Sequence, residues 1–337
     1  MKFLHKPFLT VLLITIFAGT AWAGPVKFKL STLGMEGSAQ MDAFHSAEKE
    51  IKEKTGGAVT FKIYPGGAMG TGETLFRKMK FKQLDGGSFT AGEASQYCPD
   101  LRVPSLAFLF DNFNQVDYVL PILAKDFAKT LESKGYILLA LVETGFSYLM
   151  STEPIRNVSD LQARSVWLPS DDWVGQLEFK QFGVTPKPMS LSQATTGLMT
   201  GMLDTVEGPF IAAVGLQWMT KVKYVLDVPL LYTYSVILLS KKSFDKISPE
   251  HQAIVKETFA KHFQKDLLDK ARKDNAEARE ALITKGIEFI QSNQEDMKTF
   301  ADRMEVAKKE IEAKGVFTPG IIAKVENMIK TYASKTP

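Results

Sequence analysis

The chain has 337 residues, with 41 lysines and arginines against 38 aspartates and glutamates, and a single cysteine, Cys98. This balanced charge gives no support to nucleic-acid binding, which relies on clustered Lys and Arg. One cysteine cannot form an intramolecular disulfide, so the hydrophobic core must stabilise the fold, and we expect Cys98 to be a small buried hydrophobe. The length predicts two domains.

The N-terminus has the pattern of a secretory signal peptide. Lys2 and Lys6 flank the start of an apolar run over residues 8–17, and Ala21-Trp22-Ala23 provides a small-x-small cleavage site. The run is shorter than the roughly 20 apolar residues that a membrane-spanning helix needs. We therefore predict a signal peptide over residues 1–23, cleavage after Ala23, and location in the periplasm.

The first part of the exported chain alternates strand and helix patterns. Residues 26–30 and 59–64 alternate apolar and polar side chains, which predicts strands. Helices are predicted from the glycine-rich turn after residue 33 to about residue 54, and over residues 72–82. This order indicates β-α-β-α units with a parallel sheet.

Later segments indicate a second α/β block and a connection between the two. The apolar runs over residues 136–142 and 146–150 predict a long extended passage that crosses between domains. Residues 249–285 predict one charged amphipathic helix, whose apolar positions recur every four residues. At 1.5 Å per residue such a helix is about 50 Å long, enough to lie across both domains.

No motif in the sequence favours an enzyme. Gly67 and Gly72-Glu73-Thr74 have the spacing of a phosphate-binding loop, but Glu73 stands where a lysine must meet the phosphates. Asp171 and Asp172 are adjacent and are better explained as the start of the helix that follows. A hydrolase is therefore a remote alternative, and we expect no catalytic residue, metal or cofactor.

Aromatic residues near strand ends favour a pocket between the two domains, where ligands bind in α/β proteins. Each aromatic residue alone is more often part of a core than of a site. Several such aromatic residues together strengthen the interpretation as a ligand pocket.

Several segments between residues 28 and 250 resemble the solute-binding proteins of tripartite ATP-independent periplasmic (TRAP) transporters. These segments are KTGG at 54–57 with YPGG at 64–67, residues 81–87, VPSLAFLF at 103–110, Pro154-Ile155 with SDLQ at 159–162, GVTPKPMS at 183–190 and GMLDTVEGP at 201–209.

The resemblance implies an α/β periplasmic-binding-protein fold, in which two domains joined by hinge strands and a long spanning helix close on a ligand. It places residues 24–143 and 234–270 in domain I and residues 144–233 and 271–334 in domain II, with the ligand cleft between them. It also implies delivery to a TRAP-type membrane permease, without enzymatic activity. Some similar proteins with apolar clefts work with a tetratricopeptide-repeat partner.

Three positions depart from the pattern of family members that bind organic acids. The resemblance implies a carboxylate-binding arginine where this chain has Trp167, a second arginine where it has Ser147, and an asparagine where it has Gly208. A carboxylate buried without a cation is unfavourable. We therefore predict a neutral, hydrophobic or amphiphilic ligand.

The predicted ligand-binding residues are Trp167, Ser147, Phe146, Tyr148, Glu207, Gly208, Phe210, Phe110, Met35 and Trp173. Three alternatives stay open: an organic acid held without arginine, a cation in an aromatic box with Glu207, and a carrier of lipids or other hydrophobic molecules.

Overall fold

The part of the chain described by the computed structural model, residues 24–170 and 172–334, alternates strands and helices. The predicted signal peptide and Asp171 lie outside the described residues. The strands are β1 (Val26–Ser31), β2 (Val59–Tyr64), β3 (Gly86–Thr90), β4 (Tyr136–Ser151), β5 (Trp167–Pro169), β6 (Lys187–Met189), β7 (Thr205–Gly208), β8 (Tyr224–Leu226), β9 (Leu231–Ser240) and β10 (Glu288–Ile290). The α-helices are α1 (Ala39–Lys54), α2 (Gly72–Lys80), α3 (Ala91–Ala94), α4 (Phe113–Ser133), α5 (Val158–Gln162), α6 (Trp173–Gln181), α7 (Leu191–Thr200), α8 (Phe210–Gly215), α9 (Lys241–Phe244), α10 (Pro249–Lys261), α11 (Leu267–Thr284), α12 (Gln294–Ala313) and α13 (Ile321–Ala333).

The strands form a sheet in the order β10-β8-β4-β9-β3-β1-β2, to which β7 is added beside β4. The pairs β1–β2 and β1–β3 are parallel, as the β-α-β-α pattern predicts. Strand β9 returns antiparallel between β3 and β4. Strands β5 and β6 form a separate parallel pair.

Strand β4 runs from one half of the molecule into the other. It pairs with β9 from Tyr136 to Ser147 and then with β7 from Tyr148 to Ser151. A register shift falls between Glu143 and Gly145, where Gly145 has a φ of 112°. A side chain is disfavoured there both by this φ and because its Cβ would lie 3.1 Å from Asn275 Nδ2.

The predicted long helix is present, with a local difference. Helices α10 and α11 are joined without a break by a π-helical turn, His262–Asp266. At this turn the His262 ring lies between two carboxylates, with Nε2 2.7 Å from Glu50 and Nδ1 3.3 Å from Asp266. An i, i+4 apolar pattern does not distinguish the α- from the π-repeat over a single turn, so the sequence could not show it.

Buried side chains of the long helix belong to two cores. Val255, Phe259, Phe263 and Leu267 pack with α1 and the β1–β2 side of the sheet, whereas Ala278 and Leu282 pack with α7 and α8. The helix therefore lies across both domains of a two-domain α/β fold.

The remaining cores lie on the other faces of the sheet. One joins α2, α4 and α13, and another lies between β5 and helices α6 and α12. Helix α13 thus packs against α4, although the sequence groups residues 271–334 with domain II; that boundary stays a prediction. Within the two described ranges, no helix has the length and hydropathy needed to span a bilayer.

Candidate functional site

Strands β4 and β7 present a polar face beside helix α6. Leu149 lies opposite Glu207 and Tyr148 opposite Gly208 in this antiparallel pair. Because side chains alternate across a strand, Ser147, Leu149 and Glu207 share one face, and Tyr148 points to the other. Ser147 is 1% exposed, and Glu207 is half-buried.

Helix α6 begins at a partly buried ion pair. Asp172 caps the helix by accepting a hydrogen bond from the Gly175 amide at 3.0 Å, and its carboxylate also pairs with Arg102. The side chains of Arg102 and Asp172 are 13% and 16% exposed. Arg102 belongs to the 3₁₀ segment Pro99–Ser105, whose apolar residues pack with α2 and α4, so the pair links that core to α6.

Two glutamates lie close to this pair. The Glu178 carboxylate accepts a hydrogen bond from the Ala107 amide at 2.9 Å. Burial, helped by the charges of Asp172 and Glu207, outweighs the opposing effects of the Ala107 amide and Arg102 and raises the pKa of Glu178 to about 7. Burial, reinforced by Asp172, likewise raises the pKa of Glu207 to about 7.

The Ser147 hydroxyl is buried without a hydrogen bond of normal geometry. It lies beside the Glu207 carboxylate, where it acts to lower the pKa of that group. A buried hydroxyl without a well-formed hydrogen bond is unfavourable, so this group has capacity to accept a donor.

A small cavity lies against these carboxylates. Asp172, Glu178 and Glu207 line its polar side, and the apolar wall is formed by Leu149, Leu168, Phe179, Phe182, Leu231 and Phe300. We call it the α6 cavity. The space that the centre of a water molecule can reach is about 20 Å³, which suits one or two waters.

The charge around the α6 cavity is unbalanced. Although burial alone would lower the pKa of Arg102, the neighbouring Asp172, Glu178 and Glu207 raise it. One guanidinium thus faces three carboxyl groups, and none of the described residues that line the cavity is a lysine or arginine. Where Glu178 and Glu207 are ionised, above about pH 7, an added carboxylate would meet repulsion here, whereas a hydrogen-bond donor or a cation would be attracted.

The described structure gathers some of the predicted site residues and separates others. Tyr148 and Phe210 stack with their ring centroids 4.2 Å apart, on the face of β4 opposite Ser147. Gly208 lies beside Trp218, because a Cβ at Gly208 would be 3.1 Å from that indole. This contact accounts for the absence of a side chain at Gly208 in this chain.

Trp167 lies in the core around α7 and α8. It is 7% exposed, its Nε1 donates a hydrogen bond to the Met189 carbonyl at 2.9 Å, and its ring meets Trp218 edge-on. It is not among the residues that line the α6 cavity. A role of Trp167 in ligand binding stays a prediction.

The other predicted aromatic residues lie elsewhere in the fold. Phe146 packs against Phe113 and Tyr232, and Phe110 packs against the same Tyr232. Trp173 contacts Phe317. Met35 is 67% exposed in the loop after β1.

Arg102 and Glu178 are not among the residues predicted from the sequence. Both are single charged residues within otherwise apolar segments, LRVPSLAF and WVGQLEF. Since charged side chains are seldom buried unless paired, a charge at such a position is the signal that could have indicated them. Which charges they meet depends on the packing of α6.

The described residues give no support to a metal site, a reactive thiol or a phosphate-binding loop. No group of histidine, cysteine, aspartate or glutamate side chains there is arranged to hold a metal ion. Cys98 is buried, as predicted, and burial raises the pKa of its thiol to about 11. The glycine-rich turn resembling a phosphate-binding loop precedes α2, and Thr71 occupies the N-cap position there without a side-chain hydrogen bond.

Comparisons with known proteins agree with the fold. The 2,3-diketo-L-gulonate-binding periplasmic protein YiaO of Escherichia coli is 24% identical over 296 residues, which cover 84% of this chain and 88% of that protein. A TRAP periplasmic solute-binding protein from Ochrobactrum anthropi, with its C-terminus bound in the ligand-binding pocket, has a TM-score of 0.83 at 20% identity and covers 93% of this chain and 97% of its own. Another, from Sulfitobacter with bound β-D-galacturonate, has a TM-score of 0.79 at 22% identity and covers 90% and 99%.

These likenesses concern binding proteins and exclude the hydrolase alternative. The family of bacterial extracellular solute-binding proteins, family 7, matches residues 30–314. The chain therefore belongs to this family of periplasmic TRAP solute-binding proteins, which bind small molecules for delivery to a membrane permease.

Proposed function

We propose that this protein captures an amphiphilic small molecule without a free carboxylate, closes on it by a hinge motion, and delivers it to a TRAP permease. The observation that carries the proposal is the charge balance at the α6 cavity, which Asp172, Glu178 and Glu207 line and where the nearby guanidinium of Arg102 is already paired with Asp172. Because Asp172 already pairs with Arg102, a ligand carboxylate would have to displace it and lie near two further acids.

The apolar wall of the cavity supports the amphiphilic character. Phe179, Phe182 and Phe300 offer contact to an apolar body and little to a sugar hydroxyl. In this respect the proposed ligand differs from β-D-galacturonate, which the Sulfitobacter relative holds. The proposal includes signal-peptide cleavage after Ala23; it does not extend to a tetratricopeptide-repeat partner, for which no described residue argues.

A thermal-shift comparison tests the proposal. The protein, stripped of ligand by unfolding and refolding, is heated with β-D-galacturonate, L-gulonate and a panel of neutral and cationic amphiphiles. The galacturonate-binding Sulfitobacter relative serves as the positive control for the acids. We expect the acids to leave the melting temperature of this protein unchanged while amphiphiles raise it, since a ligand that binds the native state stabilises it. Stabilisation by either sugar acid would contradict the proposed ligand class.

Native mass spectrometry of the protein isolated from its own periplasm would identify the bound molecule directly. A carboxylic acid released from the native complex would contradict the proposal independently of the panel.

A further inference from the structure

We propose that Glu207 and Ser147 form a subsite for the primary ammonium group of the ligand. This inference rests on the proposed function and gives the polar end of the amphiphile a chemical class. It depends on four observations: a buried hydroxyl beside Glu207, an excess of carboxyl groups, a water-sized space that Glu207 lines, and no metal-binding arrangement among the described residues.

The hydroxyl supplies the first argument. Ser147 Oγ is buried, has no hydrogen bond of normal geometry, and lies on the face of β4 that also carries the Glu207 side chain of β7. When Glu207 is ionised, the Ser147 hydroxyl can donate to it, and the serine oxygen keeps lone pairs that can accept a hydrogen bond. A group that satisfies both must carry at least two N–H or O–H donors.

The charges around Glu207 supply the second argument. The charged and titratable groups that face it are Asp172 and Glu178 from α6 and Arg102 from the Pro99–Ser105 segment. Fully ionised, these four residues carry three negative charges and one positive charge. A positive charge added beside Glu207 therefore reduces the electrostatic cost of the cluster, whereas a neutral donor does not.

Size and donor number decide which cation fits. The water-accessible space of the α6 cavity, about 20 Å³, suits one or two waters. A primary ammonium group is of similar size and offers three N–H donors. A trimethylammonium group is larger and has no N–H donor for Ser147.

A metal ion is a poorer occupant. No three carboxylate, histidine or cysteine side chains in the described ranges are arranged as metal ligands. The Asp172 carboxylate is already used by Arg102 and the Gly175 amide, and Glu178 accepts from Ala107. Among the described residues, only the Ser147 hydroxyl acts as a hydrogen-bond donor to Glu207, so this carboxylate is the one most available to a ligand.

Four matched probes test the subsite on the stripped protein. They are n-butylamine, n-butanol, butyltrimethylammonium and butyrate, whose affinities are measured by ligand-observed NMR titration. A charge-assisted hydrogen bond should make butylamine bind at least about tenfold more tightly than butanol. Butyltrimethylammonium should not share this advantage.

The affinity for butylamine should rise with pH. The amine stays protonated below about pH 10, while Glu207, with a pKa of about 7, becomes ionised between pH 6 and 8. Butylamine should therefore bind about tenfold more tightly at pH 8 than at pH 6, and butanol equally at both.

Two variants assign the effect to the subsite. Glu207→Gln should remove the preference for butylamine and its pH dependence, and its urea-unfolding curve, compared with that of the wild type, shows that the variant is folded. Ser147→Ala should weaken butylamine by a smaller factor, and Glu153→Gln, an exposed glutamate of the same half, should change nothing.

The outcomes separate the two proposals. Equal affinity for butylamine and butanol, no detectable butylamine binding, or unchanged butylamine binding in both site variants would overturn the ammonium subsite and leave the carboxylate-free ligand standing. Tightest binding by butyrate would overturn the proposed function as well.

Discussion

At the scale of single residues, Glu178 shows how burial without a full counter-charge makes a side chain sensitive to pH. Its carboxyl group is 5% exposed and meets Arg102 only in competition with Asp172. Because its pKa in the folded protein is about 7, the native state holds a proton that the unfolded chain releases at lower pH. Stability therefore decreases as pH rises from the unfolded pKa of 4.5 through 7.

Glu178→Gln should remove this loss of stability with rising pH. The amide oxygen can still accept from the Ala107 amide, so the hydrogen bond is retained. By urea unfolding, we expect the variant to exceed the wild type by up to about 3 kcal/mol at pH 8, with the advantage shrinking toward pH 5. Glu153→Gln provides the exposed control. A difference from the wild type that does not depend on pH would contradict the assignment.

At the scale of elements, ion pairs connect helix α11 to strand β4 and to helix α4. Arg272 donates hydrogen bonds to Glu143 of β4 at 2.8 and 2.9 Å and to Asp117 of α4 at 2.9 and 2.6 Å. The Glu143 side chain is 3% exposed and also accepts from the Tyr232 hydroxyl. The guanidinium lies over the Phe113 ring.

Removing Arg272 alone should lower the free energy of unfolding more than removing both charges of the Arg272–Glu143 pair. Arg272→Met leaves the Glu143 carboxylate buried without its cation, for which we expect a loss of about 3–5 kcal/mol in the free energy of unfolding. Adding Glu143→Gln should restore a large part of that loss, because no uncompensated charge remains. Denaturant unfolding of the single and double variants gives the coupling energy.

Lys273→Met is the matched control, because the Lys273–Glu277 pair on the same helix is highly exposed and such pairs contribute little. Additive effects of the Arg272 and Glu143 substitutions would show that this ion pair does not stabilise the contact between α11 and β4.

At the scale of the whole molecule, the two halves share too much structure to unfold separately. Strands β4 and β9 and the α10–α11 helix contribute to both halves, and the core around α2 and α4 also buries Val174 of α6. Exposing one half would therefore remove contacts from the other. We expect a single cooperative transition despite the size of the chain.

Two probes check this cooperativity in one urea titration. Because Trp173 packs against the core that joins α2, α4 and α13, the titration uses Trp173→Phe. The fluorescence of Trp167 and Trp218 then reports on the core around α7 and α8, while far-UV circular dichroism reports on both halves. The two curves should have the same midpoint. Separate midpoints would mean that the halves are independently stable.

By itself, the sequence determined the features that depend on near neighbours. The alternating apolar pattern predicted β1 and β2, and Asp172 was predicted at a helix start, where its side chain accepts a hydrogen bond in the described structure. The apolar repeat predicted the long helix across both domains, and the segment motifs indicated the family that residues 30–314 match. Such signals survive because turns, caps and periodicity act over a few residues.

The tertiary structure alone decided which side chains meet. Arg102 and Asp172 are 70 residues apart in the chain, and Ala107 and Glu178 are 71 apart, so no local pattern could pair them. The pairing of β4 with β7 brings Ser147 and Glu207 to one face of the sheet. Trp167 lies in a core, where its ring packs against Trp218. The physical reason is that the ionisation of a buried carboxyl group is set by the charges and the burial around it, and these exist only once α6, β4 and β7 have packed together.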